Sequence, residues 1–146
     1  MKMINIRPVE IIGSCPAHLS QEDEFQIDEL KLVNSGNVRI CFLAISHLPP
    51  SVWQLQSEGR FFAHVSCPGC TRQLAEENRV VFLLGHTDKW DLCQAISEYR
   101  RLTRERPEPE SAQQLRTQAM QAQSEGDFSQ ATFKMKAALE ELKNRI

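Results

Sequence analysis

Apolar and polar positions divide the chain into a front part with strand-like patterns and a back part with helical ones. Residues 4–12 carry apolar side chains at mixed spacing and predict a strand leading into a cysteine-containing turn. Residues 25–28, Phe-Gln-Ile-Asp, alternate apolar with polar, the signature of a half-buried strand. Asn34-Ser35-Gly36-Asn37 is a turn cluster. Residues 40–47 are apolar enough for a buried helix. Pro49-Pro50 must interrupt it, because proline lacks the backbone donor and restricts the residue before it. Pro50 can open a second helix through Trp53 and Leu55. Residues 61–66 and 79–84 are rich in aromatic and β-branched side chains and predict two further strands. Between them, residues 71–78 are polar and compatible with a helix.

From residue 87 the period changes. Leu92, Ile96, Tyr99 and Thr103 share one helical face, with Thr87 or Asp88 placed to cap its start. Residues 100–110 are charged and contain Pro107 and Pro109, which predicts a stiff linker. Residues 111–124 and 128–144 predict two helices joined by Glu125-Gly126-Asp127, with Gly126 where a helix end favours a positive φ. The expected fold class is α+β. A small mixed domain of a few strands and helices spans residues 1–102, a charged proline-containing linker spans 103–110, and a C-terminal two-helix hairpin spans 111–146.

Composition acts mainly by exclusion. At 146 residues the chain can bury a core without disulfide staples. A net charge of −2 supplies no bulk pull toward nucleic acid or an anionic membrane, so neither is expected as a partner. The longest apolar runs, residues 40–45 and 80–84, are too short to span a bilayer, and the first residues form no apolar signal stretch. A cytoplasmic location is the expectation. Thiols stay reduced there, so the five cysteines suit metal or redox chemistry better than structural disulfides.

The candidate chemistry lies in two short pairs, Cys15-Pro-Ala-His18 and Cys67-Pro-Gly-Cys70, with Cys41 between them. A two-residue gap lets one tight turn aim both side chains at a common point. Three readings stay open. In the first, Cys15, Cys67 and Cys70 bind zinc, with His18 or Cys41 as fourth ligand. An iron–sulfur cluster on Cys15, Cys41, Cys67 and Cys70 would use the same sulfurs. In the second, Cys67 and Cys70 form a redox dithiol, favoured by a helix N-terminus over residues 71–78. Against it stand the lack of a preceding βαβ unit and of a neighbouring tryptophan. In the third, the cysteines are small apolar core residues, as Cys93 is expected to be.

The remaining polar residues carry less. His47 and His86 read as structural or exposed, and His64 as a second-layer hydrogen-bond donor to the cysteine site. Asp23 and Glu24 point to opposite faces if they lie on a strand, so they share no site. Trp53 and Trp90 read as packing residues, with no basic aromatic patch around them. No Ser/His/Asp order or phosphate-cradling glycine loop occurs.

Residues 6–85 resemble an uncharacterised family of short bacterial and archaeal proteins. The resemblance rests on Cys15-x-x-His18, then Asp23-Glu24-Phe25, Ile40-Cys41 opening a helix, Cys67-Pro68, and a closing strand at Val80-Val81-Phe82. It groups Cys15, Cys41 and Cys67 and implies no mechanism; Cys70 lies outside that layout. The C-terminal hairpin resembles a single tetratricopeptide repeat through Leu115, Ala119, Gly126, Phe128, Ala131 and Ala138-Leu139, with Met135 where the repeat often has an aromatic. Such units gain stability from stacked neighbours. The resemblance therefore implies a cover: the helix over residues 92–102, a second copy in a homodimer, or a protein partner. The function expected is a non-enzymatic adaptor or regulatory protein, its fold braced by metal in the first reading. The alternative is a thiol-disulfide oxidoreductase using Cys67 and Cys70.

Overall fold

The structure is a computed structural model and describes residues 3–15, 17–29, 31–33, 36, 38–57, 59–67 and 78–144. The fold class is α+β. The chain forms two compact units, Met1–Asp88 and Lys89–Ile146.

The first unit is built on a five-stranded sheet with the order β3-β2-β1-β5-β4. The strands are β1 (Ile4–Ile12), β2 (Phe25–Asp28), β3 (Lys31–Val33), β4 (Phe62–Ser66) and β5 (Arg79–His86). Every pairing between them is antiparallel. β1 and β5 run along each other from Ile4 opposite His86 to Ile12 opposite Arg79. The register slips between Pro8 and Glu10. A proline in a central strand offers no ladder donor, and a bulge is one of the places where a sheet tolerates it.

Alternation sets the core. Ile4 and Ile6 of β1, Phe25 of β2, and Val80, Phe82 and Leu84 of β5 join one buried cluster. Leu48 joins it, as do Val52 and Leu55 of helix α2 (Pro49–Ser57). On the alternate positions a polar set fixes the register. Asn5 is buried; its Oδ1 accepts from Gln26 Nε2 at 2.8 Å and from Thr87 Oγ1, and its Nδ2 donates to Glu24 Oε1 at 3.1 Å.

The buried helix expected over residues 40–47 is instead a single turn, α1 (Phe42–Ile45), with only Ala44 buried. One turn sends successive side chains about 100° apart, so Phe42 is left 81% exposed. α2 opens at Pro49, where a helix needs no backbone donor. β3 was not anticipated. It follows β2 through a two-residue turn, since Asp28 pairs with Lys31. That turn needs a positive φ, and Glu29 adopts it at +56° instead of the glycine or asparagine that would signal it. Of the turn cluster at residues 34–37 only Gly36 is described, with φ +31°. The helix expected over residues 71–78 lies outside the described residues except for Asn78, which is not helical.

His86 ties α2 to the sheet. Its Nε2 lies 2.6 Å from the Leu55 carbonyl, and its own N–H donates to the Phe61 carbonyl. A carbonyl only accepts, so Nε2 carries the ring proton. The bond satisfies a carbonyl of the last helical turn, where intrahelical donors run out.

The second unit holds α3 (Trp90–Glu105), α4 (Glu110–Ser124) and α5 (Phe128–Asn144). α5 packs on both α3 and α4. Alanines at 112, 119, 122, 131 and 138 are buried and let the helices come close, while Met135, Leu139 and Leu142 of α5 fill the rest. α3 buries Leu92, Cys93, Tyr99 and Leu102. The compact unit therefore begins at Lys89, and α3, grouped by the sequence with the cysteine domain, sits with the helices that cover it.

Two local expectations change here. The residue at the cap of α3 is Lys89, whose side chain has no acceptor and makes no cap bond, while the Thr87 hydroxyl donates to Asn5 instead. Residues 100–105, read as linker, continue α3. Arg101 pairs with Glu98 at 2.8 Å and Glu105 at 3.9 Å, one turn either way, which suits a helix. The actual connector, residues 106–109, is held in place. Glu108 Oε1 accepts from the Tyr99 hydroxyl at 2.6 Å and from Arg116 Nε at 2.7 Å, joining α3, connector and α4. The turn between α4 and α5 is as expected. Gly126 has φ +79°, its N–H reaches the Gln123 carbonyl, and that of Asp127 reaches Ala122, closing a Schellman motif. Asp127 then caps α5 through Gln130 N–H at 3.0 Å.

Replacing His86 with Leu strands the Leu55 carbonyl, and the variant is expected to lose roughly 1–3 kcal/mol in chemical denaturation; an unchanged midpoint would mean the bond contributes nothing. The Glu108 clamp gives a pH signature. Burial opposes its ionisation, but the hydrogen bonds from Tyr99 and Arg116 outweigh that and hold the carboxyl below its usual 4.5. A depressed folded value gives stability that is complete above pH about 4.5 and is lost as pH falls through the folded value. Glu108→Gln should be less stable at pH 7 and show a shallower loss of melting temperature below pH 4.5 than the wild type.

Candidate functional site: the cysteine end of the sheet

The β1–β5 ladder decides where the thiols go. β1 ends at Ile12 opposite Arg79, the first residue of β5, and β4 ends beside Val81. The chain leaving β1, the chain leaving β4 and the chain entering β5 therefore meet at one end of the sheet. Cys15 lies on the first and Cys67 on the second. Cys41 arrives just before α1, at the N-terminal flank of that turn, with its side chain making no cap bond.

Cys15, Cys41 and Cys67 are all half-buried and all pack against the same hydrophobic cluster. They are free thiols. Cys67 reaches the cluster because Ala63, Val65 and Cys67 alternate onto the core face. Its N–H donates to the Val80 carbonyl at 2.9 Å, and the Val80 N–H donates to its sulfur at 3.1 Å. The sulfur thus stands where the Cys67 carbonyl would stand in a continuing ladder. The strand peels away at this residue, and an amide dipole points at the sulfur where a bound metal or a negative charge would be felt.

Cross-ties hold the loops that carry the thiols. Gly13 and His18, with φ +72° and +54°, bend the chain at either side of Cys15. The His18 N–H closes a turn on the Cys15 carbonyl at 2.9 Å. The Ser14 N–H donates to Asn78 Oδ1 at 2.8 Å, fastening this loop to the entry of β5. Asp23 grips two segments with one carboxylate: Oδ2 accepts from Ser20 N–H at 2.8 Å and Oδ1 from Arg39 N–H at 3.0 Å. Arg39 Nη1 completes the link by donating to the His18 carbonyl at 2.9 Å. The Cys15 loop and the approach to Cys41 are thereby one hydrogen-bonded piece.

The sequence-expected ligands are only partly gathered. The His18 residue is exposed, while the three cysteines turn to the core. Cys70 lies outside the described residues. Among the described residues, no three of the His, Cys, Asp and Glu side chains stand close enough to hold one metal ion together. The donor chemistry suits zinc, but the described residues do not complete a site by themselves. His64 is not a second-layer donor to Cys67. It lies on the other face of β4, exposed, with its ring edge-on to Phe62 at 6.1 Å. Cys93 is fully buried in α3, and His47 is exposed beside Ser46.

Sequence reasoning missed Asp23, Arg39 and Asn78 as the residues that assemble this end. Ser20 with Asp23 is a recognisable side-chain turn signal, but the long-range partner Arg39 has none. Comparisons with protein-family models, with curated proteins and with solved structures found no match to the chain.

Removing the Asp23 carboxylate tests this assembly. In Asp23→Ala, the Ser20 and Arg39 amides lose their shared acceptor. Cys15 and Cys41 should then alkylate severalfold faster with iodoacetamide, read by peptide mass spectrometry, while Cys93 stays protected. Equal rates in the two proteins would mean that the loops are held by something else.

Proposed function

We propose that the protein is a non-enzymatic adaptor or regulatory protein. In this reading the thiol end of its first unit is a structural centre able to take zinc. The helical unit, similar to a tetratricopeptide hairpin, binds a protein partner or a second copy. The observation that carries the reading is the convergence of Cys15, Cys41 and Cys67 on one core from three separate loops. The loops that carry Cys15 and Cys41 are held to one another and to the entry of β5 by Asp23, Arg39 and Asn78. A zinc ion would use Cys15, Cys67 and Cys70, with His18 or Cys41 as the fourth donor, and binding would have to draw the loops closer than they stand. It would contribute folding free energy, not a reaction.

For the helical unit, the support is what α3 leaves open. α5 is covered by α3 on one side and α4 on another. Phe133 of α5 and Met120 of α4 remain 66% and 58% exposed. Large apolar side chains in water on a repeat-like hairpin suit a binding face.

Protein purified without chelator should carry about one zinc, or a coloured iron–sulfur cluster, per chain. Cys67→Ser should lose it together with much of the thermal stability. Metal-free protein whose Cys67→Ser variant melts unchanged would sink the metal reading.

The alternative is a thiol-disulfide oxidoreductase using Cys67 and Cys70, and it has one supporting contact, the Val80 amide on the Cys67 sulfur. An attacking thiol must also be accessible, and this sulfur is packed against the core. Insulin reduction with dithiothreitol as electron source is therefore expected at the background rate. A faster rate, lost in both Cys67→Ser and Cys70→Ser, would replace the adaptor reading with the enzyme.

A further inference from the structure

We draw no further inference here: the strongest candidate, the exposed apolar side chains of Ile40, Phe42 and Leu43 on either side of Cys41, is an unpartnered surface, and nothing in the structure shows what covers it.

Discussion

The antiparallel pairing of β1 with β5 is the constraint on which the first unit depends. These strands come from opposite ends of the unit, so their ladder must close the whole intervening chain before it returns any bonds. Once closed, it fixes both ends of the sheet. At one end, Ile12 and Arg79 bring the Cys15 loop beside the entry of β5. At the other, Ile4 stands opposite His86, and His86 reaches over to the last turn of α2. The core face and the thiol end are consequences of one register. A slip by a single residue would turn Ile4 and Ile6 out of the core and carry the loops out of reach of one another.

The helical unit rests on different physics. Its elements are adjacent in sequence, so little loop entropy opposes their docking. Small residues let α5 approach α4, and the Schellman turn at Gly126 sets the return angle. The charged connector is drawn into this unit by the Tyr99–Glu108–Arg116 contacts. There burial costs Glu108 solvation, and two charge-assisted bonds offset it. That balance places the pH sensitivity of this region in the acid range and nowhere near neutrality.

The proposed function follows from this division of labour. A local helical hairpin folds readily and can devote an outward face to a partner. The thiol end is assembled from remote loops, which is where a bound metal would add most to stability, since it would cross-link segments that the chain alone must pay entropy to gather. The Asp23 carboxylate performs part of that cross-linking with hydrogen bonds alone.

Local chemistry made much of the fold legible in the sequence. Strict alternation at residues 25–28, the β-branched runs of β4 and β5, and the glycine between α4 and α5 each act within a few residues, so composition reveals them. The α+β class and the helical hairpin follow from those signals. What only the tertiary structure decided depends on residues far apart in the chain. Glu29 takes a positive φ because β3 pairs with β2, although its side chain announces no turn. The Thr87 hydroxyl bonds Asn5 and not the α3 terminus, and His64 falls on the face away from Cys67 because β4 keeps its two-residue period up to the peel at Cys67. The thiols could be named from spacing, but their common burial could not. It is set by which strands pair and by a carboxylate whose partner is sixteen residues away, and short-range patterns carry no information about either.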